Sequence, residues 1–141
     1  MYVAYILIMK RDRYAKNAGT VFSLKYHVVW CPKYRRPVLE HPVDARLKEL
    51  IGSIAVEHEF TVHALEVMPD HVHLFVEADP TRSVAEIVNR FKGASSRVLR
   101  SEFPHLKSRL PTLWSRSYFA GTVGTVSEAT VRKYIESQKG K

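Results

Sequence analysis

Asp70-His71-Val72-His73-Leu74-Phe75-Val76 alternates, and alternation over this length predicts a half-buried β-strand. His71 and His73 stand two residues apart, so both imidazoles leave one face of that strand. Val72, Leu74 and Val76 leave the opposite face, which is apolar enough to be core. Two imidazoles about 7 Å apart along a strand can converge on one cation as neutral ligands. Met68-Pro69-Asp70 is a breaker just before the strand, and Asp79-Pro80 closes it. The pair alone fits two half-exposed strand histidines as well as it fits a metal site. Its meaning therefore depends on what the rest of the chain supplies.

Working outward toward the N-terminus, Thr61 to Met68 is rich in branched residues and predicts a strand that forms a hairpin with the histidine strand through Pro69-Asp70. Val43, Leu47, Leu50, Ile51 and Ile54 recur at helical spacing, so Val43 to His58 reads as an amphipathic helix. Pro32-Lys33-Tyr34-Arg35-Arg36-Pro37 is a basic loop with an aromatic inside it, a composition suited to phosphate contact and base stacking or to plain solvation. Thr20 to Cys31 alternates, with Phe22, Leu24, Tyr26, Val28 and Trp30 on one face and Ser23, Lys25, His27 and Val29 on the other. This predicts the first strand. Lys10 to Lys16 reads as a basic loop. Residues 1–19 form an N-terminal extension, and its apolar start, Met1 to Met9, is too short to span a bilayer. It lacks a charged leader and a cleavage pattern, so a signal peptide is not expected. An extra strand, or a start codon assigned upstream of Met9, accounts for it more simply.

Toward the C-terminus, Ser83-Val84-Ala85-Glu86 is a capping box. It opens a helix with a core stripe of Val84, Ile87, Val88, Phe91 and Val98. Arg90, Lys92, Arg97 and Arg100 lie on its other side, either as a solvated face or as phosphate contacts. Phe103 to Pro111 reads as a polar connection, and Trp114 to Val123 as the last strand. Gly121 and Gly124 bracket a flexible link, Thr125 to Glu128 supplies cap residues, and a final helix occupies about residues 125–139. The order strand, helix, strand, strand, helix, strand, helix in one domain of 141 residues predicts an α+β, ferredoxin-like (RRM-like) antiparallel sheet with helices on one face and an added C-terminal helix. Val72, Leu74 and Val76 should face the helices. His71 and His73 should face the uncovered side, where the final helix can meet them.

Lys and Arg outnumber Asp and Glu by 22 to 14, a net charge of +8. This balance points to a polyanionic partner, nucleic acid before membrane. Cys31 is the only cysteine, which excludes an intrachain disulfide and suggests a reducing compartment. In the final helix Tyr134 and Gln138 are four apart, one above the other on the same face. A phenol and an amide so placed suit a nucleophile and an oxygen ligand, although a phenol with a pKa near 10 is weak until activated. Arg132 and Lys133 beside them suit a phosphate.

Four blocks stand in order: Tyr26-His27-Val28-Val29-Trp30-Cys31-Pro32-Lys33-Tyr34-Arg35-Arg36; Met68-Pro69-Asp70-His71-Val72-His73; Leu113-Trp114-Ser115-Arg116-Ser117-Tyr118-Phe119 with Thr122-Val123-Gly124; and Tyr134-Ile135-Glu136-Ser137-Gln138. Together they resemble the single-tyrosine HUH transposases of the insertion sequence 200/605 group, over about residues 20–138. The resemblance implies His71, His73 and Gln138 as metal ligands and Tyr134 as the nucleophile. It implies an enzyme of the prokaryotic cytoplasm that cuts single-stranded DNA near hairpin ends and stays joined to a 5′-phosphate through tyrosine. It also implies a homodimer whose sites combine both subunits. Mixed imidazole and oxygen ligands suit Mg²⁺ by availability and Mn²⁺ by affinity, with Zn²⁺ compatible by ligand type. Lys33, Arg35, Arg36, Arg90, Lys92, Arg97, Arg132 and Lys133 are the candidate DNA contacts.

Three other readings stay open on sequence. An RRM-like module that binds single strands or hairpins without cutting explains the charge, but leaves the His-x-His and Tyr-x-x-x-Gln pairs idle. A related HUH endonuclease, such as a replication initiator or a repeat-associated transposase, is the second, and the short chain, without a helicase or added domain, speaks against the initiator. A metal hydrolase using His71, His73 and Asp70 would form no covalent adduct. Tyr118 is the second candidate nucleophile.

Overall fold

A computed structural model of the chain describes residues 15–16, 21–22, 24–122 and 128–141. Four strands form one antiparallel sheet: β3 (Lys25–Trp30), β4 (Thr61–Met68), β5 (His71–Glu77) and β6 (Phe119–Thr122), in the order β4-β5-β3-β6. β1 (Ala15–Lys16) and β2 (Val21–Phe22) pair separately as a short hairpin. The predicted first strand is therefore two pieces, and Thr20 and Ser23 lie outside the described residues. The helices are α1 (Val43–His58), α2 (Val84–Glu102), α3 (Pro104–Arg109) and α4 (Glu128–Ser137). Apart from β1, β2 and α3, this is the predicted β-α-β-β-α-β order followed by a helix, with the ferredoxin-like sheet order.

α1 buries Val43, Leu47, Leu50, Ile51 and Ile54, the residues its 3.6-residue period selects. The Ser83 hydroxyl accepts from the Glu86 amide at 3.1 Å and caps α2. α2 buries Ile87, Val88, Phe91 and also Leu99, while Val84 and Val98 are only partly covered. Val28, Trp30, Val72, Leu74 and Val76 leave the sheet on the helix side and join one core. Phe91 sits at its centre, with ring centroids 5.6 Å from Phe60 and 6.4 Å from Trp30.

Three expectations are corrected. β5 is buried on both faces, not half-buried, and the side predicted to be uncovered is closed: Val29, His73 and Phe75 are fully buried. β5 and β3 are the two central strands, and side chains of β3, β4 and β5 pack against one another on this face. His27 stacks on Phe75 at 4.7 Å, His63 lies 5.2 Å from the same ring, and His63 Nε2 meets Glu77 Oε1 at 2.8 Å. The 103–111 connection contains α3, where Pro104 starts the helix and Leu106 is buried. The last strand begins only at Phe119. Before it, Trp114 makes one bridge to Pro32, and residues 115–118 leave the sheet. Residues 1–14, with the apolar start and most of the basic loop, lie outside the described residues, as do Val123, Gly124 and the cap positions 125–127.

Replacing Phe91 with alanine removes the ring shared by Trp30 and Phe60. It should lower unfolding free energy by about 3–5 kcal/mol, read from a denaturant midpoint at unchanged slope.

Candidate active site

The site is built where β5 begins. The His71 Nδ1–H faces the Asp70 carboxylate, with Nδ1 to Oδ1 at 2.9 Å. That contact leaves the Nε2 lone pair for a cation. His73 is fully buried, and its Nε2 lies 3.3 Å from His27 Nδ1. Burial first, then the neighbouring His27 and His71, pull the His73 pKa down to about 4. Burial likewise lowers His27. Both rings are neutral at pH 7, the form that ligates metal.

The turn Lys33–Arg35 follows β3 and carries the second part. Tyr34 and Arg35 take left-handed backbone angles, φ 60° and 53°, each costing about 1–3 kcal/mol. The turn is held by Arg35 N–H to the Pro32 carbonyl and Tyr34 N–H to the Lys141 carbonyl, both at 2.8 Å. This aims the Arg35 side chain inward. Its Nε lies 3.5 Å from Asp70 Oδ2, and its Nη1 donates to the Ile135 carbonyl of α4 at 3.2 Å. A longer contact to Glu136 at 3.7 Å is exposed and screened. One guanidinium thus ties the carboxylate beside His71 to the helix of Tyr134 and Gln138.

The third part is the segment 115–117. It is pinned to the end of β3 by Ser115 N–H to the Cys31 carbonyl at 2.9 Å and Lys33 N–H to the Leu113 carbonyl at 2.8 Å. The Ser115 hydroxyl donates to Gln138 Oε1 at 3.1 Å, and Gln138 is buried. Ser117 Oγ meets the Tyr134 hydroxyl at 3.0 Å. Burial pushes the Tyr134 phenol up to about 12, opposed by the bond to Ser117. The phenol is therefore protonated at rest. Lys92 Nζ donates to the Ser115 carbonyl at 2.7 Å and the Ser117 carbonyl at 3.2 Å. Tyr118 packs partly buried against the core, with Lys92 Nζ 5.9 Å from its ring centroid.

Tyr134 and Gln138 thus meet one loop, and Arg35 links their helix to Asp70 and His71. The basic residues divide. Arg36, Arg90, Arg97, Arg132 and Lys133 are exposed, with Arg90 3.8 Å from Glu86. Lys33 lies over the Tyr34 ring at 5.3 Å. Arg97 lines a shallow groove of about 800 Å³ with Arg100 and Lys107, where the Arg100 head donates to the Leu110 and Pro111 carbonyls. Arg35 and Lys92 point inward to protein partners. Sequence reasoning missed His27, Ser115 and Ser117 as site residues. Their only signal was their place inside the aromatic blocks.

No group of three or more His, Cys, Asp and Glu that could hold a metal occurs among the described residues. His71, His73 and Gln138 could offer two imidazoles and an amide oxygen to a cation. Gln138 Oε1 keeps one acceptor position after Ser115. Asp70 meets His71 through one oxygen and Arg35 through the other, so it orients both side chains. The set fits a cation that accepts mixed nitrogen and oxygen donors.

Replacing Arg35 with methionine should loosen α4. A bond to a charged group contributes about 1.5–3 kcal/mol, so amide exchange across 128–137 should speed about ten- to a hundredfold. β5 should be unchanged. Equal exchange in wild type and variant would mean that other contacts hold the helix.

A family described as "Transposase IS200 like" matches residues 20–138. The chain is 42% identical over 142 residues to the ISDra2 transposase TnpA of Deinococcus radiodurans, covering 99% of this chain and 98% of that one. It is 30% identical over 123 residues to the transposase for insertion sequence element IS200 of Salmonella typhimurium, covering 86% and 80%. A crystal structure described as a candidate transposase from Deinococcus radiodurans R1 superposes with TM-score 0.83 at 40% identity, covering 90% of this chain and 99% of that chain. The structure of a REP-associated tyrosine transposase bound to a REP hairpin superposes with TM-score 0.51 at 15% identity, covering 89% and 67%, a likeness of fold alone. With its family matched across residues 20–138 and its relatives along most of their length, the chain is a member of the IS200-like transposase family.

Proposed function

We propose that the chain cuts and rejoins single-stranded DNA near hairpin ends, with Tyr134 as the nucleophile. The observation that carries this reading is the common seat of Tyr134 and Gln138 on residues 115–117, with Arg35 joining their helix to Asp70 and His71. An RRM-like binding module has no use for a buried amide and a phenol fixed this way.

In the proposed reaction the Tyr134 oxygen attacks the scissile phosphorus. The bond to the 3′ oxygen breaks, that oxygen takes up a proton, and the phenol loses one. The products are a 5′-phosphotyrosine and a free 3′-OH. One phosphodiester replaces another, so a later 3′-OH can reverse the exchange without an external energy source. His71, His73 and Gln138 would hold a divalent cation, Mg²⁺ or Mn²⁺, which would supply charge to polarise the scissile phosphate. The resting phenol is protonated and seated against Ser117, so it must lose its proton as it attacks. The exposed Arg36, Arg90, Arg97, Arg132 and Lys133 would meet phosphates, and the net charge of +8 favours that partner. Among the described residues no helix is long and apolar enough to cross a membrane, and the proposed work is on DNA in the prokaryotic cytoplasm.

The proposed assembly is a homodimer with composite sites. In the structure α4 sits on its own chain. In the dimer, Tyr134 of the partner subunit would take the same seat on residues 115–117. Two features favour it: the seat is a short set of polar bonds that a second copy can make, and β6 is a short edge strand of the sheet among the described residues.

Tyr134→Phe should abolish the covalent protein–DNA band on a denaturing gel and leave hairpin binding unchanged. A surviving band would move the nucleophile to another residue, Tyr118 first. His71→Ala, His73→Ala or a chelator should end cleavage while binding persists and falls steeply with salt. Mixing the His71→Ala/His73→Ala protein with Tyr134→Phe and allowing exchange should restore cutting, with the adduct on the histidine-mutant chain. No activity despite proven exchange would place each site within one subunit.

A further inference from the structure

Lys92 belongs by sequence to the basic side of α2, beside Arg90 and Arg97. Its structural role is different. The ammonium lies 2.7 Å from the Ser115 carbonyl, 3.2 Å from that of Ser117 and 3.5 Å from that of Arg116. An ammonium has three donors and no acceptor, and here they all point at consecutive carbonyls of one loop. Three carbonyl dipoles converging on one point repel one another unless a positive charge stands there. Burial brings the Lys92 pKa down to about 8, which still leaves it mainly protonated at pH 7.

The same helix turn holds the start of the loop. The Trp114 indole N–H donates to the Lys92 carbonyl and to Ser95 Oγ, each at 3.1 Å, and Ser95 in turn donates to the Phe91 carbonyl at 2.6 Å. Trp114 fixes where the segment leaves α2. Lys92 fixes its course over the next three residues. The two hydroxyls on that course are the ones that hold Gln138 and Tyr134.

We infer that Lys92 is a positioning residue for strand cleavage: it gathers the 115–117 carbonyls and so sets the register of Tyr134 and Gln138, rather than binding DNA phosphate. The inference rests on the roles proposed above for those two residues. It applies whichever chain supplies α4, because Lys92 acts on the seat. A misplacement of about 1 Å at a reacting group can lower the rate by about 10²-fold, which sets the scale of the expected effect.

The test is Lys92→Met, compared with wild type in three measurements. The first is hairpin DNA affinity against salt. The second is the single-turnover rate of adduct formation at saturating DNA. The third is the fluorine NMR shift of a fluorotyrosine placed at 134, read without DNA. Affinity and salt slope should be unchanged, the adduct rate should fall by about 10²-fold, and the fluorine resonance should move toward that of the free amino acid. Lys92→Cys alkylated with bromoethylamine restores an ammonium at nearly the same reach and should recover both rate and resonance. Cys31 is fully buried, its thiol pushed up to about 12, and is protected from the reagent. A salt slope lower by about 1 with weaker binding would make Lys92 a phosphate contact and overturn the inference. So would a wild-type rate with an unmoved resonance. If Lys92→Met does not fold, Lys92→Gln, which keeps a donor, takes its place in all three. Failure of the parent reading shows separately, as an adduct that survives Tyr134→Phe in otherwise wild-type protein.

Discussion

Antiparallel pairing of β3 with β5 is the constraint on which both core and site depend. Its register sets Val29 opposite His73, Trp30 opposite Val72 and Val28 opposite Leu74. Alternation then sends Val28, Trp30, Val72 and Leu74 to one side, under α1 and α2. It sends Val29, His71 and His73 to the other. A slip of one residue would exchange the two sets and put imidazoles into the apolar core. The aromatic contacts of Trp30 with Phe91 and Trp114 oppose that slip. The stability of the apolar side thus fixes the histidines on the other.

The polar side is held by groups that each serve two elements. Asp70 orients His71 and pairs with Arg35. Arg35 faces Asp70 and the Ile135 carbonyl. Ser115 donates its backbone N–H to the Cys31 carbonyl and its hydroxyl to Gln138. Such sharing makes these contacts non-additive, since changing one group disturbs two partners. The strained turn at Tyr34 and Arg35 belongs to the same arrangement. Its left-handed angles persist because Pro32 and Lys141 bind its amides while Asp70 holds the Arg35 side chain.

Most of the sheet and both large helices were legible in the sequence because burial follows period. Val43 to Ile54 and Val28 to Trp30 repeat at the spacing of their elements, and Ser83 with Glu86 marks a helix start by side-chain chemistry alone. The second buried face was not legible. His27, His63 and Glu77 look polar, and only tertiary pairing shows the two histidines packed against Phe75 and Glu77 bonded to His63. α3 was hidden because a six-residue helix has less than two periods to display. The His71, His73, Tyr134 and Gln138 set was readable as residue types. What connects it was not: Arg35 and Lys92 carry a charge that sequence assigns to DNA, and the structure turns both inward.

The manner in which α4 is held bears on what it can do. Among the described side chains from 128 to 138 only Val131 and Gln138 are buried. The helix is tied to the body by Arg35, Ser115, Ser117, the Tyr134–Phe119 ring contact and the Tyr34–Lys141 backbone bond. An apolar seat would contribute about 25 cal/mol per Å² covered and would hold the helix as firmly as α1. Each neutral hydrogen bond contributes only about 0.5–1.5 kcal/mol net, because water replaces it when the helix leaves. A helix seated this way is placed accurately while bound, yet is released at modest cost. That combination suits the role proposed for Tyr134, which must meet a phosphate in a defined geometry and later release it.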